Sequence, residues 1–464
     1  MDYDVLILGG GIIGCAVAYE LSKYNLNIAL IEKDYDIADD ISFVNTAIVY
    51  DGSEAKDDLM GRLEKMGNKM LQEIANKFKV PFKKVGSIHI ADTEEQIDKI
   101  KKMYDIAKKR EIDNIYFVDG NDILNIEPNL KVKAKNGLYS QNVAVVSPYD
   151  LAISYAEVAF DNGVNFRLQE CVQDIQKTAN GFKVNTNKNK FTCKVVVNTI
   201  PKDNYTIDSN INNKVTAEAN INHLLLEDKF DGKLSKVVVK VQDNGKFIMQ
   251  TPSLSGGTLV SIKTKYTLGF NDSMRDVKKI LPKVTKKNVN NMLNDEFHRD
   301  IMLIDDNSFN SGYIKAMGKH YAEITITPSL ANMICETIVN NLKSSMKKDF
   351  IDKRREYYRF KDMNRDERNE LISLDKRYGK IICLCNQVSE GEIVDSIRRP
   401  LGARTVEGVK RRTGATFGTC HGAYCISKII DILARELEKN PTEIVEDSKN
   451  SKVLASRIKE FEDM

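Results

Sequence analysis

The sequence has no tryptophan, no long apolar run and no excess of one charge. No stretch approaches the ~18–20 apolar residues of a spanning helix, so no transmembrane segment is expected. The 69 basic and 66 acidic residues leave a net charge of +3. That balance gives no reason to expect a nucleic-acid or membrane-surface partner. Met1-Asp2-Tyr3-Asp4 lacks the basic segment of a secretory signal, so a cytoplasmic location is expected. None of the five histidines pairs with another at metal spacing, and there is no internal repeat. The absence of tryptophan, with Lys, Asn and Ile plentiful, reads as genome bias and carries no function. What remains is a chain of 464 residues, 42% apolar and 29% charged. It is long enough for two or three domains and a large core.

Cysteine is present in an uneven pattern. Cys15, Cys171, Cys193 and Cys335 are scattered singly on apolar stretches and read as small inert hydrophobes. Cys383, Cys385, Cys420 and Cys425 instead read C-x-C, 34 residues, then C-x4-C. Packing gives no reason for two cysteines to sit one residue apart. Two such pairs can complete a four-thiolate shell around iron. The C-x-C half fits poorly with zinc sites, which use pairs spaced C-x2-C to C-x4-C. An iron–sulfur centre moves one electron at a time, so the cluster points to electron transfer.

The N-terminus carries a second signal. Tyr3-Asp-Val-Leu-Ile-Leu8 suits a buried parallel strand. Gly9-Gly10-Gly11-Ile12-Ile13-Gly14 follows as G-x-G-x-x-G, then a stretch with small residues at helical spacing. A second strand, Ile28-Ala-Leu-Ile31, ends at Glu32. Gly9 permits the turn, Gly11 admits a pyrophosphate, and Gly14 lets the helix pack on the strand. The helix N-terminus offers N–H donors to phosphate. Glu32 is placed to accept from a ribose diol and would repel a 2′-phosphate, which favours FAD or NAD over NADP.

Between these ends, helical periodicity is expected at 57–79 and 93–110 and a strand at 86–91. Ser147-Pro148-Tyr149-Asp150 opens a helix to 161. Strands are expected near 164–176, 181–186 and 194–198, and a strand followed by a helix across 321–342. Residues 343–378 are strongly charged and read as a linker or a surface-wrapping segment. A charged tail follows the cysteine region, with a helix expected at 451–462.

The two ends together resemble the flavoprotein family of D-amino-acid oxidase and FAD-dependent glycerol-3-phosphate dehydrogenase. The chain is most similar to anaerobic-type members with a C-terminal bacterioferritin-associated-ferredoxin-like [2Fe-2S] domain. The resemblance rests on Cys383-Leu-Cys385-Asn-Gln-Val-Ser-Glu-Gly-Glu-Ile, Arg398-Arg-Pro-Leu-Gly-Ala-Arg-Thr, Gly408-Val-Lys-Arg-Arg-Thr and Gly418-Thr-Cys420-His-Gly-Ala-Tyr-Cys425. In the flavoprotein part it rests on Val145-Val-Ser-Pro-Tyr-Asp-Leu, Ile126-Glu-Pro-Asn-Leu and Asn45-Thr-Ala-Ile. It covers nearly the whole chain, strongly at both ends and in 120–170, weakly in 200–345.

This resemblance implies an α/β fold. A Rossmann-like FAD-binding domain (1–80, 144–205, 309–345) would carry an inserted α+β substrate domain (81–143, 206–308). A linker (346–378), a small helical [2Fe-2S] domain (379–435) and a charged tail (436–464) would follow. The implied cofactors are FAD and a [2Fe-2S] cluster ligated by the four cysteines. Gly9, Gly10, Gly11, Gly14 and Glu32 would hold the ADP half, and Val172 would contact the adenine. Asn45 and Thr46 would lie near the pyrophosphate or ring, and Gly318 near the flavin. Electrons would pass from a small alcohol or amine to flavin, then to the cluster, then to a second flavoprotein or other redox subunit.

The chain departs from the family on the substrate side. Tyr50 stands where the family has a histidine, and a tyrosine is a poor base at neutral pH. Pro201 ends a strand that usually ends in glycine, and Glu323 replaces a glycine beside the ring. The family's substrate-pairing arginine has no counterpart except Arg299, in another context. Tyr50 and His320 are the catalytic candidates. Two readings follow: an enzyme with an altered substrate side, or a diverged subunit that relays electrons without turnover. His89 and His223 are expected to be structural, His298 solvated and His421 a loop residue. Lys410, Arg411 and Arg412 form a basic patch, read as a solvated face or a dock for an acidic partner.

Overall fold

The computed structural model describes residues 1–38, 46–55, 57–200, 205–210, 217–227, 232–242, 246–254, 257–298, 302–305, 312–317 and 319–456. Asn45, Pro201, Arg299 and Gly318 lie outside the described residues. The chain divides into two compact units, Met1–Asp40 with Ala152–Val196 and Lys343–Met464, and Ile41–Leu151 with Val197–Leu342.

In the first unit, the strand Tyr3–Leu8 pairs in parallel with Ile28–Ile31, which pairs in parallel with Asn165–Arg167. The helix Ile12–Ser22 makes the first crossover, and all its residues are buried. Such burial explains the continuous apolar strands, since a parallel sheet is covered on both faces. The strands Val172–Thr178, Gly181–Thr186 and Lys190–Asn198 form an antiparallel extension of the sheet. The expected helix at 150–161 is Pro148–Asp161.

The charged stretch 343–378 is packed rather than free. The Tyr19 hydroxyl donates to Asp352 at 2.8 Å. Arg354 is buried, with Nε 2.6 Å from Glu157, and a helix runs over Arg365–Leu374. The hairpin Ile381–Cys383 and Val388–Ser389 and the helices Glu390–Arg398, Val406–Thr413 and Ile426–Leu437 enclose their own apolar core. The tail departs from expectation. Val445 and Lys452 form an isolated bridge, and 451–456 are not helical. Leu454 instead packs against the cysteine-domain core from this extended segment, and residues 457–462 lie outside the described residues.

The second unit is built on an eight-stranded sheet. The strands Ser87–Ala91 and Val237–Val241 pair in parallel at its centre, and the rest is antiparallel. Ile88, Val238, Ile248, Val260 and Ile262 form its core with Met274 and Val277 of the helix Phe270–Val277. The strand expected within 321–342 lies earlier, at Tyr313–Met317, and Glu323–Leu342 is wholly helical. Glu323 starts that helix, where a carboxylate favours the dipole.

The helices Asp58–Phe78 and Glu323–Leu342 touch at Gly67. A Cβ there would lie 1.8 Å from the Thr325 carbonyl oxygen. Gly67→Ala must therefore push the helices apart, at a cost of about 2–3 kcal/mol. The expected result is a thermal midpoint several degrees lower. An unchanged midpoint would show that this contact is not as close as described.

Candidate active site and iron–sulfur centre

The N-terminal glycines form the turn that the motif requires. Gly9 has φ +101°, in the region that favours glycine, and its N–H donates to the Ile31 carbonyl at 2.9 Å. Gly11 is the N-cap of the helix Ile12–Ser22 and makes no side-chain capping bond. The first turn has no acidic residue of its own, so its N–H groups are left for a ligand anion. Gly14 is buried in that helix. Glu32 lies beside the turn, and its carboxylate accepts from the Gly10 N–H at 2.6 Å and the Asp34 N–H at 3.0 Å. A carboxylate held next to a glycine turn, with uncapped helix donors, suits a ribose and a diphosphate. Val172 is buried at the start of its strand, beside a register shift. Thr46 belongs to the second unit, where its hydroxyl meets Ser253 at 3.2 Å and the Leu254 N–H at 3.2 Å.

Both catalytic candidates lie in the second unit, against the same ring. Tyr50 packs edge-on to Tyr321 at 5.0 Å, and His320 lies over Tyr321 at 4.3 Å. Tyr50 follows the strand Ala47–Val49, and its N–H donates to Thr325 at 3.0 Å. Burial and the nearby Glu54 and Glu64 push its hydroxyl pKa well above 10, so it is no base near neutrality. Burial and the charge of Lys263 lower the His320 pKa to about 4. His320 is neutral at pH 7, and its Nδ1 accepts from the Ala322 N–H at 3.2 Å. That bond assigns the ring proton to Nε2, which makes His320 a donor.

Sequence reasoning missed Glu64, Tyr321 and Lys263. Tyr321 donates to the Glu64 carboxylate at 3.0 Å. Glu64 is fully buried, and burial pushes its pKa up to about 8 against the opposing Tyr321 bond. A signal for it existed, because Glu64 lies on the apolar stripe of Met60, Leu63, Leu71 and Ile74. His223 is half-buried with Nδ1 2.8 Å from the Ser261 hydroxyl, and desolvation lowers its pKa to about 4, as suits a structural role. His89 is also buried, with Nε2 within ion-pair distance of Glu54 but outside hydrogen-bond geometry.

The four clustered cysteines meet as two pairs. Cys385 and Cys420 place their sulfurs 3.5 Å apart, and Cys383 and Cys425 are both buried in the same apolar core. Among the described residues, no three Cys, His, Asp or Glu side chains converge on one point. Two irons with two thiolates each call for two pairs and not one such knot. Two thiolates on one tetrahedral metal stand about 3.7 Å apart for metal–sulfur bonds of ~2.3 Å, so the first pair fits one iron. Burial would raise the Cys420 pKa, but Cys385 and the N–H groups of Gly422, Tyr424 and Ala423 hold it below the usual thiol value. Such donors favour a thiolate ligand. A Cβ on Gly418 would sit 2.3 Å from the Cys385 Cβ, so this loop must be glycine to bring the pairs together.

Two other expectations change. Cys171 is exposed rather than packed, whereas Cys15, Cys193 and Cys335 are buried. His421 is an exposed turn residue, as expected, with φ +48°. The basic patch is neither a solvated face nor a free dock. Arg411 is buried and pairs with Asp447 at 2.6 Å, Arg412 pairs with Asp36, and Lys410 pairs with Glu407 at 2.9 Å. Carboxylates distant in sequence claim Arg411 and Arg412, which the local pattern could not show, whereas Lys410 pairs within its own helix.

A dinucleotide turn and a four-thiolate centre in one chain define a flavin-dependent oxidoreductase with an iron–sulfur module. The chain belongs to the FAD dependent oxidoreductase family, which it matches over residues 4–277, and residues 381–435 match the BFD-like [2Fe-2S] binding domain. FAD and a [2Fe-2S] cluster are its cofactors. It is 34% identical, over 98% of its length and 99% of the relative's, to a glycerol 3-phosphate dehydrogenase of Caloramator mitchellensis. It is 29% identical to a glycerol 3-phosphate oxidase of Mycoplasma pneumoniae, over 38% of this chain and 47% of that one. The fold matches the dithionite-reduced, FAD-bound L-alpha-glycerophosphate oxidase from Mycoplasma pneumoniae. That match has a TM-score of 0.67 at 19% identity and covers 77% of this chain and 99% of the other. The protein is thus an FAD-dependent dehydrogenase, and the reading as a relay without turnover is not favoured. Among the described residues, no helix is long and apolar enough to cross a membrane.

Proposed function

We propose that the chain oxidises glycerol 3-phosphate and passes the electrons through its cluster to a separate redox protein. The observation that carries this reading is the end-to-end match to a glycerol 3-phosphate dehydrogenase. The bound flavin supplies hydride acceptance, and the cluster supplies one-electron transfer. Gly9, Gly10, Gly11, Gly14 and Glu32 hold the ADP half, with Val172 at the adenine and Thr46 toward the ring. Asn45 and Gly318 complete the set by family position. Cys383, Cys385, Cys420 and Cys425 ligate the cluster. His320 orients the substrate oxygen through its Nε2 proton, with Tyr321 packed against it and Tyr50 against Tyr321. Lys263 is close enough to lower the His320 pKa and offers the substrate phosphate a cation.

The partner is a second flavoprotein or another redox subunit in the cytoplasm. Leu384 and Tyr424, each 67% exposed beside cluster cysteines, support an exit for electrons at that edge. The test is anaerobic mixing with glycerol 3-phosphate or with glycerol, following flavin absorbance. Bleaching by the phosphate ester at micromolar to millimolar concentration, with glycerol far weaker, is expected. Lys263→Met should erase most of that preference while glycerol remains as poor a substrate as before. Equal bleaching by both alcohols, or by neither, would sink the substrate assignment.

A further inference from the structure

The segment after Glu32 links the two cofactor modules. Asp36 is buried, and Arg412 grips its carboxylate with Nη1 at 2.5 Å and Nη2 at 2.7 Å. Arg411 adds a second guanidinium at 3.9 Å. The helix Val406–Thr413 approaches Asp36 closely because residue 408 is glycine, where a Cβ would lie 2.7 Å from the carboxylate. Asp36 also accepts from the Ile37 N–H at 2.8 Å. Ala38 then adopts φ +62°, a strained value for alanine, and its N–H donates to the Gly10 carbonyl at 2.9 Å. The Gly10 N–H in turn holds Glu32 at 2.6 Å. An unbroken path therefore runs from the cysteine domain through Asp36 and Ala38 to the glycine turn, all within one compact unit.

We propose that Asp36 is a positioning residue that couples the cysteine domain to FAD binding. Docked on Arg412, Asp36 holds Ala38 against Gly10 and so fixes the turn and Glu32 in the geometry that takes the ADP half. The strained Ala38 needs such an anchor, because an unanchored loop would relax out of the left-handed region and release the Gly10 carbonyl. A guanidinium fork suits this task, since two parallel bonds fix orientation as well as distance. Coupling of this kind is reciprocal, so bound FAD also favours the docked domain. The inference rests on the assignment of the ADP half to the glycine turn.

The test measures FAD affinity on full-length Asp36→Asn by flavin fluorescence, with iron counted on the same sample. The FAD dissociation constant is expected to rise about 10-fold while iron stays at the parental level. Arg412→Lys keeps the charge but loses the fork, and a weakening in the same direction is expected. An affinity within about twofold of the parent, with iron retained, would overturn the coupling, taking the usual coupling range of about 5–150-fold as the standard. Loss of flavin and iron together in both variants would overturn it too, because it would show a general contribution to folding. Gly11→Val separates the two levels. If that variant binds FAD normally, the ADP-half assignment falls. If it loses FAD while Asp36→Asn keeps it, the coupling alone falls.

Discussion

Replacing Cys425 with serine is expected to empty the iron–sulfur centre. Cys425 is buried at the N-cap of the helix Ile426–Leu437, in the same apolar core as the buried Cys383. A neutral hydroxyl there removes a thiolate ligand, and one iron of a [2Fe-2S] pair is left with an incomplete shell. Iron and acid-labile sulfide should fall close to zero. Gly418→Ala should act in the same direction without touching a ligand. Its Cβ would clash with the Cys385 Cβ at 2.3 Å and the Sγ at 2.9 Å, driving Cys385 away from Cys420. Full iron in the Cys425→Ser protein would remove Cys425 from the ligand set. Full iron in Gly418→Ala would show that the loop can widen.

The second large effect concerns Glu64. Burial holds this carboxyl neutral, with the nearby Glu54 and Asp51 adding repulsion, so its pKa of about 8 lies far above the ordinary value near ~4.3. The native chain therefore binds a proton that the unfolded chain has released between these two values. The stabilisation from the neutral acid is complete below the unfolded pKa and is lost as pH rises toward about 8. The whole loss is about 5 kcal/mol, on the order of 1.4 kcal/mol per pH unit across that window. Glu64→Gln keeps the shape and the acceptor for Tyr321 and removes the titration. Its thermal midpoint should lie well above that of the parent at pH 9, with the gap narrowing toward pH 5. Midpoints that run parallel across that range would contradict a buried neutral Glu64.

The sequence makes the first unit and the cysteine domain legible for a physical reason. Both depend on local rules: a glycine turn must follow a buried strand, and thiolates on one iron must be near each other. The contacts that hold these modules together are not local. Asp36 and Arg412 are 376 residues apart, and Glu157 and Arg399 are 242 apart. No pattern within either segment shows that a charged run will be buried against a distant carboxylate. The same limit explains why 343–378 reads only as a linker or a surface-wrapping segment although Arg354 is buried in it. Tyr321 and Lys263 lie where the resemblance is weak, so family position could not point to them. Glu64 differs, because a lone carboxylate on an apolar helical stripe could have been read directly.

The central claim is that one chain carries electrons from substrate through flavin to its own cluster. The most direct measurement is anaerobic addition of substoichiometric glycerol 3-phosphate to the purified holoprotein. Flavin absorbance is followed in time, and the frozen sample is examined by electron paramagnetic resonance. Flavin bleaching is expected, then partial recovery as a reduced [2Fe-2S] signal appears, with the signal absent in Cys425→Ser. A bleached flavin beside a cluster that stays oxidised, although dithionite reduces it, would contradict the account.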